Sequence, residues 1–254
     1  MSKKTLAHIR IAFLECGILA PEARAKHGRY GDLAQEFLST AATDSPDALA
    51  TFSLFPFDVQ DAREYPNIEE IDAVIISGSK HNSFDNDPWI LELVEFVRKI
   101  LAQRRVRIVG YCFGHQIIGR ALGGDAIVGR GDNGWEVSVT PLQLTSGGQE
   151  IFGRSQLKIY EMHRDVVYSC PEGTELLASS SRYEIQSLYI PERLMTFQGH
   201  PEYTAEIISE VLHIRHNKGI FDDEMLSDAL QRLKEPHDGY EAGRVTLKFL
   251  AGKF

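Results

Sequence analysis

The sequence predicts an α/β fold in which a mostly parallel central sheet is flanked by helices, with a small antiparallel sheet added. The first half of the chain alternates short β-branched runs with longer segments whose apolar residues recur at helical spacing. Parallel strands need crossover connections, which helices supply, and such sheets are covered on both faces. In the second half, short runs separated by Gly, Pro, Asn and Ser indicate hairpins.

Each element of the first half rests on a local pattern. A helix is expected over residues 30–39, because its apolar residues fall on one side. A second helix is expected to begin at Asp87 and Pro88, with Asp87 as its cap. β-branched and apolar runs predict strands over residues 9–15, 51–55, 73–77 and 106–110.

The second half combines short strands with three closing helices. The expected strands are residues 137–139, 157–160, 175–178, 185–190 and 194–197. Helical spacing predicts helices over residues 205–216, 222–233 and 241–250. The chain has no internal repeat and no linker rich in Pro or Gly, so we predict a single domain over residues 1–254.

Composition excludes several classes of function. The 254 residues contain 36 acidic and 27 basic side chains, and this net charge of −9 argues against a nucleic-acid partner. No apolar run approaches the roughly 20 residues that span a bilayer, and residues 1–10 lack the apolar core of a signal peptide. We therefore expect a cytoplasmic protein without a membrane partner. Cys16, Cys112 and Cys170 form neither a paired framework nor a CxxC motif, so no metal and no cofactor are expected.

The most informative segment is a Gly-x-Cys-x-Gly turn around Cys112. A hydrophobic strand enters the turn at Gly110, and an apolar helical pattern follows Gly114. Such a turn between strand and helix is so tight that only Gly fits on either side, and it exposes the central side chain as a nucleophile. The start of a helix also favours the thiolate. The alternative is a buried structural cysteine in an ordinary turn.

A nucleophilic cysteine needs a base, and the base needs an orienting group. His200 follows the apolar run 194–197 and precedes Pro201 and Glu202. We expect His200 to be the base and Glu202 to turn back and hold its other ring nitrogen. Taken alone, this His-Pro-Glu segment is also typical of a helix-capping loop.

A third segment supplies candidate amides. The apolar strand over residues 73–77 ends in Ser77, Gly78 and Ser79, at the edge where open α/β sheets bind ligands. An amide at Gly78 or Ser79, together with that of Phe113, is expected to form an oxyanion hole. A plain turn or a weak phosphate loop would give a similar pattern.

Together these segments resemble the class I glutamine amidotransferase family, which has a flavodoxin-like fold. The resemblance covers about residues 9–209 and does not include the predicted C-terminal helices in residues 220–254. The family motifs are Gly-x-Cys-x-Gly-x-Gln, here residues 110–116, and His-Pro-Glu, here residues 200–202. Within the family, the segments 76–79, 86–90, 114–118 and 198–203 resemble the stand-alone γ-glutamyl peptidases.

The resemblance implies a Cys-His-Glu triad of Cys112, His200 and Glu202. It also implies substrate contacts from Gln116, which follows the elbow, and from His163 and Asp165, which match a His-x-Asp stretch; a surface hairpin is the alternative for these two. Two positions depart from the family. Ser79 replaces a second Gly, which leaves open which amide completes the oxyanion hole. Gly199 replaces an aromatic residue, which suggests a roomier pocket.

The expected reaction is hydrolysis of γ-glutamyl amides, such as γ-glutamyl peptides, glutathione or its conjugates, through a γ-glutamyl thioester. Too few residues follow the triad for a synthase domain, which favours a hydrolase that works alone. The sequence leaves open a homo-oligomer and a glutaminase subunit that delivers ammonia to a separate synthase chain. It also leaves open a catalytically silent binding protein of the same fold. A further alternative is a thiol-dependent sensor or glyoxalase-like protein, which would not require Glu202.

Overall fold

A computed structural model describes residues 8–43 and 51–254 of the chain. Its centre is a seven-stranded sheet in the order β2-β1-β3-β4-β12-β11-β9. The strands in chain order are β1 His8–Glu15, β2 Thr51–Asp58, β3 Ala73–Ile76, β4 Arg107–Tyr111, β9 Glu175–Leu176, β11 Leu188–Ile190 and β12 Leu194–Phe197. The first five strands in the sheet order run parallel, whereas β11 is antiparallel to its neighbours β12 and β9. The predicted α/β fold with a mostly parallel sheet is confirmed.

Helices cover both faces of this sheet and bury an apolar core on each side. The longer helices are α2 Tyr30–Thr43, α3 Pro88–Ala102, α4 Phe113–Gly123, α6 Ala205–Asn217, α7 Asp223–Arg232 and α8 Gly239–Leu250. Helices α2 and α8 pack together on one face, and α3 packs against α4 on the other. Two short helices, α1 Pro21–His27 and α5 Ser146–Phe152, have seven residues each, too few for a helical period to stand out in the sequence.

Two small antiparallel sheets accompany the main one, where the sequence predicted a single one. The first is ordered β10-β6-β7 and the second pairs β5 with β8. Their strands are β5 Val128–Arg130, β6 Glu136–Leu144, β7 Gln156–His163, β8 Asp165–Val167 and β10 Ala178–Ser179. The turn after His163 separates β7 from β8, so that one stretch of chain contributes to both sheets.

Several predicted boundaries differ from the structure. Strand β2 continues through Pro56 because it lies at the edge of the sheet, where a missing amide donor is tolerated. The predicted strand 185–190 begins only at Leu188. Asp87 precedes α3 as expected, but its side chain makes no capping hydrogen bond. The sequence indicates no signal peptide in residues 1–10. Residues 1–7 of that segment lie outside the described residues.

The parallel strands bring the candidate residues to one edge. Register pairs Ile76 of β3 with Gly110 of β4, and Tyr111 of β4 with Phe197 of β12. The three loops that follow these strands therefore start side by side, and they carry Ser79, Cys112 and His200. In the described ranges, none of the helices has the length and apolar character needed to cross a bilayer.

Candidate active site

Cys112 lies in a strained turn between β4 and α4. Its backbone has φ 48° and ψ −102°, a region that non-glycine residues rarely occupy. A Cβ atom on Gly110 would lie 2.5 Å from the carbonyl carbon of Gly114, and one on Gly114 would lie 2.5 Å from the oxygen of Ile76. The predicted requirement for two glycines is confirmed. The predicted exposure is wrong, because Cys112 is only 6% exposed and lines a half-open cavity.

His200 follows β12 and is anchored by its backbone. Its amide donates to the carbonyl oxygen of Tyr160 at 2.7 Å, which ties the residue to β7. Its Nδ1 atom lies 2.9 Å from Oε1 of Glu202, and Cys112 is close enough to raise the pKa of its imidazole. Since Glu202 occupies Nδ1, Nε2 is the ring nitrogen left for the thiol. The structure thus brings the three residues of the predicted triad close together.

Two tyrosines complete this arrangement: Tyr30, which belongs to no motif, and Tyr203, which ends the segment 198–203. The Tyr30 hydroxyl donates to Oε1 of Glu202 at 3.0 Å and shares a hydrogen bond of 2.9 Å with the hydroxyl of Tyr203. The ring of Tyr203 stacks on the His200 imidazole, with centroids 4.0 Å apart and an angle of 8° between the planes. These contacts fix the plane of the imidazole and hold the carboxylate against it.

Burial and charge act in opposite directions on His200. Burial alone lowers its pKa, whereas Tyr203, Cys112 and Glu202 raise it, and the net direction is well above the ordinary value. These three groups together outweigh burial, and the Glu202 carboxylate lies 2.9 Å from the imidazole. The arrangement favours a proton on the imidazole next to the sulfur, which is the pairing that makes a cysteine nucleophilic.

The candidate oxyanion amides meet beside Cys112. Within the described ranges, the amides of Gly78, Ser79 and Phe113 donate no backbone hydrogen bond. The Ser77 hydroxyl donates to the carbonyl oxygen of Gly78 at 2.9 Å. Because the C=O and N–H of a trans peptide point in opposite directions, the Ser79 amide points away from Ser77. A Cβ atom on Gly78 would lie 2.5 Å from Cε1 of His200, so glycine is needed there for close approach of the imidazole.

The three predicted substrate residues line the same cavity as Cys112. This cavity has a volume of about 230 Å³, and its walls include Gln116, His163 and Asp165. Each of the three already has a protein partner. Gln116 Nε2 donates to the Asp165 carbonyl oxygen at 2.8 Å, His163 Nδ1 lies 3.1 Å from that oxygen, and the Asp165 carboxylate pairs with Arg130 at 2.8 Å. The alternative of a surface hairpin is excluded for His163, because the residue is buried.

Gly199 does not enlarge the pocket, and the sequence-based expectation of a roomier pocket is wrong. A Cβ atom at Gly199 would lie 2.5 Å from Oε1 of Glu161 and 2.7 Å from the carbonyl oxygen of Tyr160. Gly199 therefore makes room for a buried carboxyl group. Glu161 is fully buried, and its two oxygens accept no hydrogen bond in the described part of the protein. Burial, followed by the effects of Glu136 and Cys112, raises the pKa of Glu161 well above its ordinary value.

Among the described residues, one cluster has the composition of a cation site. Atoms of Glu136, Glu161 and His163 lie within 4.8 Å of one another, and all three residues are buried. Protein donors already satisfy Glu136: His163 lies 3.1 Å away, and Ser180 and Gln186 donate at 2.7 and 2.6 Å. Burial is the largest single effect and raises the pKa of Glu136, but the lowering effects of these donors together outweigh it, and the net pKa lies below the ordinary value. We therefore interpret the cluster as a hydrogen-bonded support behind Cys112.

Comparison with known proteins agrees with the fold and the motifs. The sequence profile of the family described as "Glutamine amidotransferase class-I" matches residues 39–212. A glutamine amidotransferase-like protein of Schizosaccharomyces pombe is 34% identical over 247 residues, covering 94% of this chain and 98% of the yeast protein. Gamma-glutamyl peptidase 2 of Arabidopsis thaliana is 32% identical over 199 residues, covering 75% of this chain and 79% of the plant protein.

Solved structures show the same architecture. A glutamine amidotransferase from Thermotoga maritima superposes with a TM-score of 0.67 at 17% identity, covering 96% of this chain and 98% of that one. One from Methylobacillus flagellatus gives a TM-score of 0.68 at 18% identity, covering 97% and 96% of the two chains. At these identities the likeness establishes the flavodoxin-like fold, and the profile match establishes the relationship. The chain belongs to the class I glutamine amidotransferase family.

Proposed function

We propose that the chain hydrolyses γ-glutamyl amide bonds, as in γ-glutamyl peptides, glutathione or its conjugates, through a thioester on Cys112. The observation that supports this most directly is the buried His200–Glu202 pair beside Cys112, in which His200 Nδ1 lies 2.9 Å from Glu202 Oε1. The similarity to a γ-glutamyl peptidase over 75% of the chain supports the choice of substrate class. Because the thiol must stay reduced, the proposal includes a reducing compartment such as the cytoplasm.

In the first half of the reaction, Cys112 attacks the γ-carbonyl carbon of the substrate. The sulfur–carbon bond forms while the carbonyl oxygen gains negative charge, and the amides of Ser79 and Phe113 donate to that oxygen. The carbon–nitrogen bond then breaks as His200 gives its proton to the departing amine. Glu202, held by Tyr30, stabilises the imidazolium before this transfer. The products of this half are the free amine and a glutamyl thioester.

In the second half, water enters the position that the amine has left and attacks the thioester. His200, now neutral, takes a proton from the water as it attacks the carbonyl carbon. The carbon–sulfur bond breaks, glutamate leaves, and the proton remains on the imidazole beside the restored thiolate. The overall reaction consumes one water for each amide bond and needs no cofactor.

A panel of amide substrates tests this function. Purified protein is incubated with glutamine, glutathione and several γ-glutamyl dipeptides, and glutamate release is followed by mass spectrometry. We expect release from the peptides with a higher kcat/KM than from glutamine, and no release by Cys112→Ala. Cys170→Ala is the matched control because Cys170 is a free cysteine outside the cavity. Glutamine as the best substrate would favour the glutaminase subunit, and no release at all would contradict the proposal.

Alkylation provides an independent test of the nucleophile. Burial raises the pKa of Cys16 and, to a lesser degree, that of Cys170, so both thiols are poor nucleophiles near neutral pH. Cys112 lies beside an imidazole and opens onto a cavity. Iodoacetamide should therefore label Cys112 first, as read by peptide mapping, and a γ-glutamyl substrate should slow the labelling. Earlier labelling of Cys170 would contradict the assignment.

A further inference from the structure

A second cavity adjoins the first on the side of His200. It has a volume of about 450 Å³, and His200, Gly78 and Ser79 form part of its wall. The two cavities share the wall residues Ser79, Lys80, Met162, Arg215 and Ile220. Under the proposed function, the scissile bond lies at this junction, because the nucleophile lines the smaller cavity and the proton donor lines the larger one. The group that leaves with the proton of His200 then occupies the larger cavity.

The larger cavity has an aliphatic lining. Its apolar wall comes from the segment before and at the start of α1 and from α6, through Leu19, Pro21, Ile207, Val211 and Ile214. Two large aliphatic residues at this cavity are unusually exposed, Ile18 by 62% and Ile220 by 44%. Ammonia would cover none of this surface, whereas an apolar side chain would remove it from water at a gain of roughly 25 cal/mol per Å².

The charges on this wall are all of one sign. Lys80, Arg215 and Lys218 line the cavity, and none of the Asp or Glu residues that the structure describes does, although the chain as a whole has a net charge of −9. Such a wall complements an anion. It also disfavours a leaving group that carries a positive charge, such as a lysine side chain.

Arg215 is the cation with the strongest case for a ligand. Its guanidinium carbon lies 4.3 Å from the centroid of the Trp135 ring, which fixes it at the junction of the cavities. Burial lowers the pKa of Arg215, with smaller opposing effects from Cys112, Tyr203 and Asp165. Within residues 8–43 and 51–254 it forms no ion pair, since the nearby Asp165 carboxylate pairs with Arg130. A half-buried guanidinium without a carboxylate is costly, so a bound ligand would supply the missing anion.

We propose that the larger cavity binds a leaving group that combines an aliphatic side chain with a free carboxylate, which Arg215 and Lys218 recognise. The preferred substrates would then be γ-glutamyl derivatives of aliphatic amino acids with an unblocked carboxyl end. This inference rests on the proposed function and adds to it the chemistry of the leaving group.

Four substrates and three variants test the inference. The substrates are γ-glutamyl-leucine, γ-glutamyl-leucinamide, γ-glutamyl-lysine and glutamine, and kcat/KM is measured for each. The wild type should prefer γ-glutamyl-leucine over its amide by about 10- to 100-fold, the range of one charge-assisted hydrogen bond. Arg215→Gln should remove most of this preference, and Lys218→Gln a smaller part. Lys99→Gln changes an exposed cation that lines neither cavity, so it should preserve the preference.

The outcomes distinguish a failure of the leaving-group site from a failure of the proposed function. If no γ-glutamyl substrate is cleaved, the proposed function fails. If the peptides are cleaved but the acid and the amide react equally, the leaving-group site alone is overturned. An equal loss for both substrates in Arg215→Gln would place the arginine on the glutamyl half and would also overturn it. As a binding readout, leucine should inhibit competitively and leucinamide should not, and Arg215→Gln should abolish inhibition by leucine while the melting temperature stays unchanged.

Discussion

Replacing Gly199 with alanine tests the packing behind the triad. The added methyl group would lie 2.5 Å from Glu161 Oε1, 2.6 Å from Cδ1 of Ile159 and 2.7 Å from the carbonyl oxygen of Tyr160. All three distances are shorter than real Cβ atoms tolerate. The backbone oxygen is the least able to move, because it accepts the 2.7 Å hydrogen bond from the amide of His200. The substitution must therefore move β7 and the His200 loop apart.

The size of the effect follows from the cost of overpacking. Forcing a methyl group into a well-packed site costs about 1–3 kcal/mol. For a protein of this size, each kcal/mol lowers the melting temperature by about 2–4 °C. We expect Gly199→Ala to lower the melting temperature by about 2–12 °C. Because the displaced residue is the proposed catalytic base, kcat should also fall by about 10- to 100-fold.

Thermal unfolding and steady-state kinetics check this prediction together. The control is Gly147→Ala in α5, where the nearest atom to the added methyl group is 3.4 Å away. That substitution should be neutral or stabilising by up to about 1 kcal/mol, because alanine is the better helix former. If Gly199→Ala keeps both the melting temperature and kcat of the wild type, Glu161 does not fill the space beside Gly199.

Three further substitutions address the site. Cys112→Gly should have a free energy of unfolding in urea about 1 kcal/mol or more above that of Cys112→Ala, because glycine accepts φ 48° without strain. Both variants should lack activity. Equal stabilities would argue against a strained turn at Cys112. Glu202→Gln should lower kcat for peptide hydrolysis by roughly 10- to 10³-fold with little change in substrate affinity, because the variant lacks the charge that stabilises the imidazolium. An unchanged rate at all pH values would remove Glu202 from the proposed triad. Glu161→Gln should keep activity and change the pH dependence of stability. The raised native pKa of Glu161 means that the folded state retains a proton that the unfolded chain loses once the pH exceeds the ordinary pKa of glutamate. The wild type should therefore lose stability relative to the variant as the pH rises above that ordinary value, and melting temperatures that change in parallel with pH would contradict this.

Local patterns in the sequence are sufficient to predict the main sheet and the edge at which the proposed triad lies. The Gly110-x-Cys112-x-Gly114 turn and the His200–Glu202 segment each follow an apolar strand, and parallel strands bring their ends to one edge. Both segments therefore indicate their position as well as their chemistry. The order of the two motifs and the spacing between them are together specific enough to identify the family.

Contacts between segments that are far apart in the chain could not be predicted from the sequence. Tyr30 reaches Glu202 from the opposite end of the chain, and nothing around it marks it as more than a helix residue. Gly199 suggested an enlarged pocket because it replaces an aromatic residue, and nothing in the sequence shows that Glu161 fills the space beside it. Arg215 lies on a helix with an ordinary charged pattern, and only the fold shows that it has no carboxylate partner among the described residues.

The central claim is that Cys112 carries a γ-glutamyl thioester, and intact-mass spectrometry after rapid acid quench tests it most directly. Protein mixed with excess γ-glutamyl-p-nitroanilide should gain the mass of one glutamyl group, which maps to the peptide containing Cys112 and is released by hydroxylamine. Glu202→Gln should change the amount of adduct without moving it, and Cys112→Ala should form none. Full turnover with no adduct at Cys112, or an adduct that persists in Cys112→Ala, would contradict the account.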